Sequence, residues 1–128
     1  MELNGLTAKI IKAAIAVHQE LGPGLLESVY QACLAIALRQ EGLDVRTEVS
    51  LPVIFRDSVI HEHGFRLDLL IEDQIVLELK SVDKVQPVHI KQLLTYLRLA
   101  KKPPGLLINF NESLVKNGIT RVANGVDI

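Results

Sequence analysis

Asp68, Glu78 and Lys80 are the residues of this chain whose types and spacing could do hydrolytic chemistry. Glu78 and Lys80 stand two residues apart in "IVLELKS", Ile75 to Ser81, a run otherwise fit for a core. In an extended segment alternate side chains share a face, so this carboxylate and this ammonium point the same way. Asp68 sits in the preceding apolar run, "VIHEHGFRLDLLI". If Glu72 to Gln74 form a three-residue hairpin loop, Ile71 opposes Ile75 and Asp68 lies directly across from Glu78. Facing carboxylates repel, and burial raises the cost. A divalent cation between them removes it, because Mg2+ and Mn2+ favour carboxylate and water oxygens and commonly use one or two carboxylates. A neighbouring ammonium can orient a water or stabilise developing negative charge. The competing reading is a partly solvated ion-pair cluster, since such networks also gather Asp, Glu and Lys.

Other polar residues are weaker candidates. Glu27 and Tyr30 in "GLLESVY" are one helical turn apart, although an acid in a first helical turn is also simply favourable for the helix dipole. His89, Gln92 and Tyr96 form a polar line along a later helix, which can equally be a solvated edge. His61 and His63 make an H-x-H pair able to ligate zinc, but they face away from Asp68 and have no evident third ligand. Nucleophile chemistry has little support: Cys33 lies in an apolar helical run, and Ser28 and Ser81 have no evident base. Lys84, Lys91, Arg98, Lys101 and Lys102 form a local basic set around that later helix.

The elements that must position these residues can be read from periodicity. A helix is expected from Leu6 to Glu20, with Ile10, Ala13, Ala14 and Val17 on its buried face. The "GPG" at Gly22 to Gly24 breaks it, and a second helix follows from Leu25 to Gln40. Its "ACLAIAL" stretch is apolar nearly all round, which implies cover on most sides. Strands are expected over Glu48 to Phe55, Val59 to Ile71 and Ile75 to Ser81, joined as a meander. A third helix runs from Pro87 to Ala100, with Ile90, Leu93, Leu94 and Leu97 as its buried stripe, and "GLLINF" is a final short strand. The tail from Asn111 onward has no clear assignment.

Composition narrows the function classes. With 128 residues the chain fits a single domain able to bury a core without disulfides or a structural metal. The residues are 48% hydrophobic and 23% charged, so disorder is excluded. The formal net charge of -1 means that any contact with nucleic acid must come from a local patch. A single cysteine, no signal pattern and no apolar run of ~18 residues give the expectation of a soluble cytoplasmic protein without a membrane partner. Aromatic residues are 4% with no Trp, so recognition of nucleic acid by phosphate and shape is expected over base stacking.

These motifs resemble a known family. "GLLESVY" looks like the signature of the GxxExxY proteins, and "FRLDLLI" followed by "VLELKS" looks like the split D and ExK motif of the PD-(D/E)xK nuclease superfamily. "GFRLD" and "QLLTY" are also similar to motifs of the RecB-type branch, and the likeness covers nearly the whole chain. The resemblance implies an α/β, restriction-endonuclease-like core of helix, three-strand meander, helix and strand, here with an extra N-terminal helix. It implies a nuclease that hydrolyses DNA with an activated water and uses Mg2+ or Mn2+, acting as a homo-oligomer, most simply a homodimer. Asp68 and Glu78 would hold the metal with the Leu79 carbonyl, and Glu27 would complete the shell directly or through water. Lys80 would position the attacking water, Gln92 and Tyr96 would organise the site or hold the DNA backbone, and Arg66, on the Asp68 face of an unbulged strand, would contact phosphate with Lys84 and Lys91. A non-catalytic interaction domain that kept this fold, and an RNA-processing nuclease, are the alternatives.

Overall fold

Strands that are apolar on both faces must be covered on both, and the computed structural model, which describes residues 2–124, supplies that cover. The helices α1 (Leu3–Leu21) and α2 (Glu27–Gln40) precede the strands β1 (Val45–Phe55), β2 (Ser58–Ile71) and β3 (Ile75–Lys80). Then come α3 (Pro87–Ala100), β4 (Pro104–Asn109), a 3-10 turn (Val115–Gly118) and β5 (Ile119–Ala123). One five-stranded sheet has the order β1-β2-β3-β4-β5, antiparallel except where β3 and β4 run parallel. The element order is the α/β arrangement expected from the sequence, extended by β5, which occupies part of the tail that had no assignment. Among the described residues no helix is long and apolar enough to cross a membrane.

Two apolar cores flank the sheet. On one face α1 and α2 contribute Leu6, Ile10, Ala14, Leu34 and Leu38 against Leu69, Ile71, Ile75, Leu77 and Leu79. On the other α3 places Leu93 and Leu97 against Leu70, Val76 and Leu107. Gly105 lets α3 sit close, since a Cβ there would meet the side chains of Leu93 and Leu97 at 3.1–3.2 Å. The alternation along β3 therefore assigns Ile75, Leu77 and Leu79 to the α1/α2 face and Val76, Glu78 and Lys80 to the α3 face. That is why "IVLELKS" reads as a core strand yet carries charges.

Several helical expectations need correcting. α2 is buried on one side only, through Tyr30, Leu34, Ala35 and Leu38, while Ile36 is 56% exposed. Its apolar composition overstated its cover, because among the described residues α2 packs mainly against α1 and strands β1 to β3, which leaves the rest of its surface exposed. In α3, Leu93 and Leu97 are buried, Leu94 partly so, and Ile90 lies at the exposed edge of the expected stripe. Pro87 occupies the first turn as expected.

The β2–β3 turn sets the register. Glu72 and Asp73 both adopt left-handed backbone, at φ 52° and 53°, and the Gln74 amide donates to the Ile71 carbonyl at 2.9 Å. Ile71 pairs with Ile75, Leu70 with Val76 and Leu69 with Leu77, as the three-residue loop required.

Candidate metal and phosphodiester site

The regular β2–β3 pairing ends at Leu69 and Leu77, one step before the two acids. From there each carboxylate takes a backbone amide from the opposite strand. The Asp68 N–H donates to Glu78 Oε1 at 3.3 Å, and the Leu79 N–H donates to Asp68 Oδ2 at 2.8 Å. Side chains thus replace the ladder, and the carboxylates are locked side by side. Glu78 is only 6% exposed, and its carboxyl is pushed up to about 8, first by burial and then by the facing Asp68 carboxylate. Lys80 lowers it least among the named causes. Among the described residues no ion pair joins Lys80 to either acid. The reading of these residues as a partly solvated ion-pair cluster has no Lys80 ion pair behind it, although the Lys80 charge still acts on Glu78.

The donor set fits a hard divalent cation: two carboxyl groups from adjacent strands held close together, with a Glu78 proton that a cation would displace. No cluster of three His, Cys, Asp or Glu side chains is placed to hold a metal among the described residues. Glu27 instead stands at the start of α2, where its Oε1 accepts from the Ser81 N–H at 3.4 Å, just beyond Lys80.

The Gly-x-x-Glu-x-x-Tyr stretch has a local explanation. Gly22 and Gly24 take φ values of 74° and 93°, which turn the chain sharply between α1 and α2. The fully buried Tyr30 stacks on Phe110 at 4.5 Å, and its hydroxyl accepts from the Leu25 N–H at 3.1 Å and donates to the Gly22 carbonyl at 2.5 Å. Ser81 Oγ donates to the Leu25 carbonyl at 2.6 Å. Tyr30 therefore fixes the corner, the corner fixes the start of α2, and Glu27 is delivered to the end of β3. Tyr30 itself is structural rather than a partner of Glu27 on a shared polar side.

Asn109 is the residue that sequence reading passed over. It is 1% exposed, pairs in register with Lys80, and clamps the chain that leaves β3. Its Oδ1 accepts from the amides of Val82 and Asn111, at 3.1 and 3.2 Å, and its Nδ2 donates to the Val82 carbonyl at 2.9 Å. The only available signal was an asparagine inside the apolar "LLINF".

From α3, Tyr96 packs against Phe65 of β2, within reach of the pair's charges. Its ring lies 5.1 Å from that of Phe65, and its phenol is raised by burial and then by the Glu78 and Asp68 charges, with Arg66 acting in the opposite direction. Gln92 is exposed one turn earlier on the same helix. His89 does not extend that line as expected: its Nδ1 accepts from the Gln86 N–H at 3.0 Å and closes the helix start.

The basic set divides. Lys84 and Lys91 are exposed before and within the first half of α3, whose start follows the site end of β3. Lys102 lies at the opposite end of the sheet, paired with Asp73 at 3.2 Å, because α3 runs back along the sheet and carries its last turn away from the acids. Arg66 pairs with Glu48 at 3.5 Å. The strand is not regular here: Leu69 and Ile71 belong to the α1/α2 core, whereas Phe65 and Leu67, of the same parity, belong to the α3 core. The expectation that Arg66 follows Asp68 by plain alternation is thus replaced by a slip between them. His61 and His63 are both exposed, and His61 Nδ1 accepts from the His63 amide at 3.1 Å.

Neither a curated protein nor a solved structure matches the chain. A family model does, that of the PD-(D/E)XK nuclease superfamily, over residues 4–122. That span takes in Glu27, Asp68, Glu78, Lys80 and every element from α1 to most of β5, and the chain belongs to the PD-(D/E)XK nuclease superfamily.

Proposed function

We propose that the protein is a phosphodiesterase that cleaves DNA with water and depends on Mg2+ or Mn2+. The observation that carries this reading is the Asp68–Glu78 pair, two carboxyl groups from adjacent strands held close together by cross-strand amides. Asp68 and Glu78 would hold the cation, with the Leu79 carbonyl as a backbone donor and Glu27 completing the shell directly or through water. A bound divalent ion supplies charge stabilisation on the scissile phosphate and its leaving oxygen. Lys80, on the same face as Glu78, orients the attacking water and stabilises the charge that develops. Tyr96 and Gln92 position the DNA backbone, and Arg66, Lys84 and Lys91 neutralise phosphates. A low aromatic content supports phosphate and shape recognition of duplex or branched DNA over stacking on single strands.

The test is calorimetric titration with Mn2+ and Mg2+, followed by cleavage assays on duplex, single-stranded and branched DNA and on RNA. Saturable binding lost in Glu78→Gln, with cleavage of DNA in preference to RNA, is the expected result. Absence of binding and cleavage with all substrates would overturn it. Light scattering on the same samples tests the homodimer.

One observation favours a second reading, a non-catalytic interaction domain. The outer ends of β1 and β2 form a ribbon whose Ile54, Phe55, Val59 and Ile60 are 54–63% exposed. Such apolar surface suits a partner. This reading expects thermal stability that does not respond to Mn2+ and binding that survives Glu78→Gln.

A further inference from the structure

Glu48 is a carboxylate that the proposed chemistry does not use, and its placement is unusual. On β1 it lies between Thr47 and Val49, whose partners on β2 are Leu69 and Leu67, so by register it stands alongside Asp68. The sheet therefore carries Glu48, Asp68 and Glu78 at neighbouring positions of successive strands, although the three side chains do not gather into one cluster. Glu48 also has φ 51°, a left-handed conformation rare for a non-glycine residue inside a strand. The slip in side-chain alternation of β1 and β2 falls at this same step. Val45 packs with the α1/α2 core and Val49 with the α3 core, although the two share parity.

This irregularity brings Glu48 Oε1 to 3.5 Å from the Arg66 guanidinium. The slip takes Arg66 out of plain alternation with Asp68, yet its charge is still felt at the Tyr96 hydroxyl together with those of Asp68 and Glu78. A guanidinium fork matches a carboxylate well, so an unrestrained Arg66 has a favourable destination on Asp68. There it would neutralise the acids and compete with a cation. The Glu48–Arg66 pair is more than half exposed on both sides, and such pairs are weak enough to exchange with an incoming phosphate.

We propose that Glu48 is a positioning residue that holds Arg66 off the Asp68–Glu78 pair, keeping the pair open to a divalent cation until a substrate phosphate draws Arg66 away. The proposal rests on the metal-dependent reading above. It assigns Glu48 a part in metal affinity without contact to the metal.

The experiment is a double-mutant cycle read by Mn2+ calorimetry on the wild type, Glu48→Gln, Arg66→Gln and the double variant, beside a crystal structure of metal-free Glu48→Gln. Glu48→Asn, which tolerates the left-handed backbone, serves as a second variant. Glu48→Gln is expected to weaken Mn2+ binding on the order of fivefold, the scale of one charge contact near a surface. In the Arg66→Gln background the same change is expected to be silent, and the crystal structure to show the guanidinium on Asp68. Equal weakening in both backgrounds would mean only long-range charge and would overturn the proposal, as would no weakening in either. If the wild type binds no Mn2+, the metal reading falls and the crystal structure alone decides: Arg66 on Asp68 upholds the restraint, and Arg66 left in solvent overturns it.

Discussion

The two ends of the sheet use the same residue types in opposite ways. At the turn end, Asp73 accepts from Arg46 at 3.4 Å and Lys102 lies 3.2 Å away, so one acid is matched by two cations. Asp73 and Arg46 are 66% and 54% exposed, and water does most of the work of stabilising them. At the other end, Asp68 and Glu78 share backbone amides, Glu78 is buried, and no cation pairs with either among the described residues. Charges placed for solubility or a turn are neutralised locally and left wet. The Asp68–Glu78 charges are instead dried and crowded, and without a paired cation Glu78 keeps its proton to about 8, the pattern expected of a functional site.

The sharpest way to break this comparison is to remove a carboxylate from each end. On the metal-dependent reading proposed above, Asp68→Asn or Glu78→Gln is expected to reduce cleavage by at least about a hundredfold, measured as kcat/KM, because each takes away a carboxylate assigned to the cation. Circular dichroism should show both variants folded, since the amide keeps the shape of the group. Cleavage unchanged in both would make the crowded pair as incidental as Asp73.

The pH dependence of stability separates the ends next. In the unfolded chain Glu78 titrates near its ordinary 4.5, and in the fold near about 8. Between those values the folded protein retains a proton that the unfolded chain has released, so stability falls as pH rises. Glu78's contribution is complete below about 4.5 and lost on passing about 8, amounting to a few kcal/mol at most. Denaturant titrations of metal-free protein at pH 5 to 8.5 should show this decline, and Glu78→Gln should flatten it. On the proposed metal-dependent reading Mn2+ should reverse the trend, because a carboxyl that takes a metal must be ionised. A flat profile in the wild type would remove the charge frustration on which the comparison depends.

Most of the fold and the acidic pair were legible because they follow from short-range rules. The three-residue loop fixed Ile71 opposite Ile75, and register carried that to Asp68 and Glu78 without knowledge of the rest of the sheet. α3 was bounded by Pro87 and a clear apolar stripe. What was not legible depends on packing between distant segments. The exposed flank of α2 is set by where α1 lies, and the pairing of Lys102 by the direction in which α3 runs. The slip at Glu48 and Asp68 leaves no trace in alternation, since both strands shift together and their partners stay in step. β5 is short, with one buried residue, Val122, and borrows its order from β4.

Asn109→Ala sharpens the comparison from the neighbouring strand. The buried amide satisfies the Val82 N–H and carbonyl and the Asn111 N–H, so its loss strands backbone groups and is expected to cost about 1–3 kcal/mol by chemical denaturation. Because the clamp holds the segment that follows Lys80 and carries Ser81 to Glu27, activity should fall further than the lost stability explains. Activity that tracks the folded fraction alone would limit Asn109 to a structural part.

The smallest effect is expected at the turn end, and it is the control on which the others rest. Asp73→Asn removes the acid that both Arg46 and Lys102 approach, yet exposed pairs of this kind contribute only ~0–1 kcal/mol after screening and side-chain entropy. The left-handed backbone at φ 53° suits Asn as well as Asp, so the turn and its register should survive. Stability is therefore expected to change by less than about 1 kcal/mol, to vary little with salt, and to keep the wild-type pH slope, with cleavage unaffected. A large loss of cleavage in Asp73→Asn would mean that register at the turn governs the carboxylate pair more tightly than the cross-strand amides do. The site would then be held in place from the far end of the sheet rather than by its own hydrogen bonds.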